Sequence, residues 1–119
     1  MAATPEKKVK DKVVKLLKQY GIYYFFPATY GMGRSGVPDI ICCNEGKFLA
    51  VECKAGKGKT TALQDRELAA IKAAGGDAFV INENNIDMLK EYIDESRSST
   101  ATEEDGDYPR GVSFGYGSY

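Results

Sequence analysis

Histidine is absent from all 119 residues. That gap removes Ser-His-Asp and Cys-His catalysis, HNH-type nuclease chemistry and every zinc site that needs an imidazole. Cysteine is scarce. Cys42, Cys43 and Cys53 are too few and wrongly spaced for a four-thiolate zinc site. Adjacent Cys42 and Cys43 point to opposite faces of a strand, so packing is their expected role, and an odd thiol count suits a reducing compartment. No apolar run approaches the ~20 residues of a bilayer span. The chain opens on a lysine-rich helical pattern instead of an apolar signal region, so an intracellular protein with no membrane partner is expected. A strong charge of either sign is also missing. Residues 1–95 hold 14 basic and 13 acidic side chains, and residues 96–119 hold 2 and 4. That balance neither supports nor excludes a nucleic-acid partner.

What remains is ordinary in bulk: 43% hydrophobic and 28% charged residues, enough for one soluble domain with a modest core. The informative stretch runs from Gly36 to Lys54. Two apolar, strand-like runs flank the turn-forming Asn44-Glu45-Gly46. Each carries ionisable residues where a structural strand would carry Val or Ile: Asp39 in the first, Glu52 and Lys54 in the second. Glu52 and Lys54 share a face. If facing residue numbers sum to 91, Asn44 meets Lys47 and Asp39 meets Glu52, with Cβ atoms roughly 5 Å apart. A slip to 90 would set Asp39 opposite Val51 and separate the carboxylates. A turn centred on Glu45-Gly46 gives the first register. Two close carboxylates repel unless a cation lies between them, and oxygen ligands suit Mg²⁺ or Mn²⁺. A neighbouring lysine can stabilise charge developing in phosphoryl transfer. On spacing alone a surface salt bridge explains the same residues.

The order Pro38-Asp39, a twelve-residue gap, then Glu52-Cys53-Lys54 resembles the PD-(D/E)xK nuclease signature. The fuller string Ser35-Gly36-Val37-Pro38-Asp39, then Val51-Glu52-Cys53-Lys54, then Gln64, resembles the VRR-NUC branch, over roughly residues 4 to 95. The resemblance implies an α/β fold with a restriction-endonuclease-like core: a central mixed sheet of about four strands, containing an antiparallel hairpin and flanked by helices. It implies a metal-dependent DNA endonuclease of a bacterial or phage-infected cell's cytoplasm, selective for branched DNA and homodimeric, with no small-molecule cofactor. Asp39 and Glu52 would ligate Mg²⁺ or Mn²⁺ with the Cys53 backbone carbonyl, and Glu6 is the candidate for a first-helix ligand. Lys54 would activate the attacking water, with Gln64 lining the site. A non-catalytic DNA-binding module and a restriction-type duplex endonuclease remain alternatives.

The rest of the chain supplies the frame. Thr4-Pro5-Glu6 starts a helix whose packing stripe is Val9, Val13, Leu16, Leu17 and Tyr20, closed by Gly21. Its acid also suits the helix dipole, which explains Glu6 without a metal. Ile22 to Phe26 reads as a strand ended by Pro27. A glycine-rich loop follows, Tyr30 to Gly36, in which Arg34 and Ser35 can bind a phosphate. Gly56-Lys57-Gly58-Lys59-Thr60 mimics the end of a P-loop, but the first glycine of that motif would fall on Cys53, so the P-loop is rejected. Lys57 and Lys59 are candidates for DNA phosphates. Thr61 to Ala74 reads as a helix with Thr61-Ala62-Leu63-Gln64 as a capping box. Asp77 to Ile81 is a short strand, and Asn84 or Asn85 should cap a last helix carrying Ile86, Leu89, Tyr92 and Ile93. Residues 1–95 are thus expected to form the nuclease domain. From Ser96 to residue 119 an acidic and then Gly/Tyr-rich composition predicts a flexible tail.

Overall fold

A computed structural model describes residues 4–103; the acidic and Gly/Tyr-rich stretch from 104 onward lies outside the described residues. The elements are α1 (Pro5–Gln19), β1 (Tyr23–Phe25), β2 (Ile40–Asn44), β3 (Lys47–Cys53), α2 (Ala62–Ala73), β4 (Asp77–Ile81) and α3 (Ile86–Glu103). The strands form one sheet in the order β1-β2-β3-β4. β1 pairs antiparallel with β2 and β2 with β3, whereas β3 pairs parallel with β4 through the α2 crossover. The fold is a mixed four-stranded α/β sheet flanked by three helices.

Sequence chemistry sets the helix ends. Thr4 Oγ1 accepts a hydrogen bond from Lys7 N, and Pro5 fills the first turn, where no N–H is needed. Gly21, at φ +66°, takes the left-handed turn that ends α1. One face of the sheet packs on α1 and α3, with Val13, Leu17, Leu49, Val51, Ile81, Leu89 and Ile93 all fully buried. The other face is a smaller cluster of Ala50, Leu68 and Ala78 beneath α2. Each fully buried Leu or Ile contributes ~2–3 kcal/mol of burial.

Four expectations need correction. β1 spans three residues instead of five, because Ile22 drops into the core and Phe26 leaves the ladder. Cys42 and Cys53 are core thiols, both pushed up to about 12 by burial, but Cys43 is exposed. Asn85 Oδ1 accepts from Asn82 N, and Asn82 Oδ1 accepts from the N–H groups of Asn84 and Asn85. The two asparagines therefore hold the turn reciprocally, and Asn85 does not cap the helix amides. Finally, α3 continues past Ser96. Arg97 Nη2 donates to Tyr20 O at 2.7 Å, Nη1 lies 3.2 Å from Glu45, and the guanidinium sits over the Tyr20 ring.

Candidate active site

The turn between β2 and β3 decides which residues meet at the far end of the hairpin. Its central residues Glu45 and Gly46 both have positive φ, +52° and +83°, the arrangement whose twist suits a two-residue hairpin. The resulting register pairs Asn44 with Lys47 and Ile40 with Val51, so facing numbers sum to 91. Asp39 stands one residue before β2 and extends that register to Glu52. It is held there by a hydrogen bond from Cys53 N to its Oδ2 at 2.8 Å.

Glu52 points away from the α1–α3 core toward the first turn of α2 and is 1% exposed. Its Oε2 accepts from Gln64 Nε2 at 2.9 Å and lies 3.6 Å from Lys54 Nζ. Its Oε1 is buried with no hydrogen-bond partner. Burial, and then the Asp39 charge, push the Glu52 carboxyl up to about 7, and Lys54 offsets only part of this. Near neutral pH the Glu52 carboxyl is therefore not comfortably ionised beside Asp39. A buried oxygen without a partner beside a second carboxylate is a donor set that a hard divalent cation would satisfy.

Gln64 has two jobs at once. Its backbone N–H donates to Thr61 Oγ1 at 3.2 Å, and its Oε1 accepts from Thr61 N at 2.9 Å, completing the capping box. The same side-chain amide then spends its Nε2 on Glu52, so the start of α2 is built onto the site. Asp39 and Lys54 open into a cleft of about 1040 Å³, whose walls also carry Glu6, Lys7, Lys10 and Lys59. Glu6 thus faces the same cleft from α1. Among the described residues, no three acidic or cysteine side chains gather closely enough to hold a metal by themselves. Glu6 stands on the wall and is not gathered with Asp39 and Glu52. The Cys53 thiol is packed in the core, so that residue offers the site only its backbone.

The phosphate candidates are scattered. Lys59 lines the cleft and Lys57 is exposed outside its lining. Ser35 is exposed on the loop before Asp39. Arg34 is paired: its Nε donates to both oxygens of Glu67, at 2.8 and 3.0 Å. Two acids escaped the sequence reading. Glu67 is buried on α2, where an acid three residues after Gln64 on the sheet-facing side was the available signal. Glu83, in the β4–α3 turn, accepts from Gly56 N at 2.9 and 3.1 Å and borders the cleft. That contact is long-range and has no local signature.

Comparison with known proteins adds an independent line. The family model described as archaeal Holliday junction resolvase (Hjc) matches residues 7–82, a span that includes Asp39, Glu52, Lys54 and Gln64 but not Glu6. A phage protein named "Putative nuclease p44", from Acyrthosiphon pisum secondary endosymbiont phage 1, is 36% identical over 81 residues. That match covers 67% of this chain and 84% of the phage protein. Among solved structures, the chain is similar to Archaeoglobus fulgidus Hjc, a Holliday junction resolvase from an archaeal hyperthermophile. The identity is 26% and the TM-score 0.48, over 65% of each chain. The chain belongs to the archaeal Holliday junction resolvase (Hjc) family, a family of PD-(D/E)xK-type nucleases.

Proposed function

We propose that this protein is a divalent-metal-dependent endodeoxyribonuclease that cuts branched DNA as a Holliday junction resolvase does. The observation that carries the reading is Glu52: a buried carboxylate with one unpartnered oxygen, raised to about 7, directly across from Asp39 and beside Lys54. Such a pair is poorly suited to stabilising a fold and well suited to a cation. Family membership and the phage relative support the nuclease class. The Ser35-Gly36-Val37-Pro38-Asp39 string supports the VRR-NUC branch within it.

Asp39 and Glu52 would hold Mg²⁺ or Mn²⁺ with the Cys53 carbonyl, and Glu6 stands on the facing wall. The ion would supply Lewis-acid neutralisation of charge on the scissile phosphate. The chain's own residues do the rest. Gln64 fixes the rotamer of Glu52 through one hydrogen bond and leaves Oε1 available. Lys54, one residue past β3 and 3.6 Å from Glu52, would donate to the attacking water and balance the charge of the pentavalent transition state. Water adds to phosphorus, the bond to the 3′ oxygen breaks, and the products carry a 5′ phosphate and a 3′ hydroxyl. A homodimer would present two such sites to a two-fold junction.

The test is cleavage of a labelled four-way junction and a matched linear duplex with Mg²⁺ or Mn²⁺. Wild type should cut the junction, and Asp39→Ala and Lys54→Ala should each lose at least ~100-fold. Undiminished cutting by both variants would sink the site. Equal cutting of the linear duplex would favour a restriction-type enzyme, and metal-dependent junction binding without cutting would favour a binding module.

A further inference from the structure

The glycine-rich loop that leads into Asp39 is fastened to α2 at two points. Gly36, at φ +76°, lies so close to the helix that a Cβ would meet Leu63 C at 2.7 Å. Two residues earlier, Arg34 Nε donates to both Glu67 oxygens. The pair is asymmetric. Glu67 is buried, at 4% exposure, whereas the Arg34 side chain remains 64% exposed. A carboxylate in that position costs desolvation that an apolar residue would avoid, so its presence asks for a reason beyond packing. Its geometry suggests one. Only Nε is engaged, and the terminal nitrogens of Arg34 make no hydrogen bond among the described residues. Arg66 Nη2 also lies 3.6 Å from Glu67, so two exposed guanidinium groups surround one buried carboxylate and leave a net positive charge. The Arg34 bond and charge lower the Glu67 carboxyl, as expected for a pair that stays ionised.

We infer that Glu67 is a positioning residue: it grips Arg34 by Nε so that the terminal nitrogens present a fixed fork to a backbone phosphate of bound DNA. Planar two-nitrogen recognition of phosphate is what a guanidinium does better than an ammonium, provided it is held still. Glu67 follows Gln64 by three residues, about one helical turn, and Gln64 touches Glu52. Arg34 and Glu67 line a groove separate from the cleft of Asp39 and Lys54. The fork therefore serves a phosphate that flanks the scissile one, and its effect falls on binding and not on bond breaking. This inference rests on the nuclease reading and deepens it.

The experiment uses the full chain and a fluorescent four-way junction, with affinity measured in EDTA at several salt concentrations, followed by kcat and KM with Mn²⁺. Charge alone predicts that Glu67→Leu, which removes a negative charge, binds DNA more tightly. Positioning predicts the opposite. Glu67→Leu should weaken binding about 5- to 10-fold, with the loss in KM, and Glu67→Gln, which keeps an acceptor oxygen, should recover part of it. Arg34→Ala should lower the salt slope by about one. The double variant Arg34→Ala/Glu67→Leu should bind no worse than Arg34→Ala, because Glu67 acts through Arg34. It also leaves no unpaired buried charge, so it guards against a folding artefact, and thermal unfolding of each variant checks the same point. Unchanged or tighter binding by Glu67→Leu overturns the inference, as do additive losses in the double variant. A change of oligomeric state in place of DNA affinity would also overturn it and mark the pair as an interface element. Wild type that binds neither junction nor duplex would instead overturn the nuclease reading itself.

Discussion

Metal-free protein should lose stability as pH rises from 5 to 8, and Glu52→Gln should abolish most of that loss. Glu52 is buried, and its carboxyl is raised from 4.5 to about 7, first by burial and then by Asp39. Between those two values the unfolded chain has released this proton and the folded chain has kept it. The folded state binds more protons, so the free energy of unfolding falls with rising pH and levels off above about 7. At ~1.36 kcal/mol per pH unit the shift sets a ceiling of about 3 kcal/mol. Water and ions in the adjoining cleft screen part of it, leaving ~1–3 kcal/mol. The assay is urea denaturation of wild type and Glu52→Gln in EDTA at pH 5 and pH 8. Taking the difference between the proteins at each pH cancels the other titrating groups. The variant should gain ~1–3 kcal/mol on wild type between the two conditions. Added Mn²⁺ should stabilise wild type more at pH 8 than at pH 5, because the ion and the proton compete for the same oxygen. A variant-minus-wild-type difference constant within about 0.3 kcal/mol across that range would refute the account of Glu52 as the strained carboxylate.

Three further predictions concern the frame of the site. Gly36→Ala should cost ~2–4 kcal/mol in thermal denaturation, because it combines a left-handed backbone with a Cβ driven into the Leu63 backbone. A loss below ~0.5 kcal/mol would mean that the loop simply lifts off α2. Gln64→Ala should cost ~1–2 kcal/mol, because it removes the oxygen that accepts from Thr61 N and the amide that donates to Glu52. Gln64→Glu retains an acceptor for Thr61 N but sets a like charge beside Glu52, so the ascending limb of the pH–rate profile should move to higher pH. An unmoved limb would argue that Glu52 ionisation does not govern the rate.

Much of the frame was legible because it is local. The register follows from a two-residue turn, the starts of α1 and α2 from Thr4-Pro5 and the Thr61–Gln64 box, and the packing stripes from periodicity. Gln64 unites the cap and the site contact in one side chain used twice. What escaped was decided by tertiary contact. Arg34 read as a phosphate contact on a glycine-rich loop, and only the fold brings a buried Glu67 beneath it. Cys43 looked apolar enough to pack, but its cross-strand neighbours Tyr23 and Phe48 are themselves exposed. Asn85 looked like a cap, but Asn82, three residues away, offered its amide a nearer donor. Glu83 carries no local sign that its carboxylate will reach Gly56.

The hairpin turn has a consequence for how this chain can vary. Glu45 and Gly46 lie five residues, roughly 17 Å, from the Asp39 end of β2, and do not line the cleft. Yet they act as a parity bit for the chemistry. Inserting or deleting a single residue there would keep the strands, the helices and most of the core composition while turning Asp39 toward Val51 instead of Glu52. Changes of two residues would preserve the parity. Length variation in this turn should therefore be tolerated in even steps and not in odd ones, a constraint that no residue of the cleft reveals.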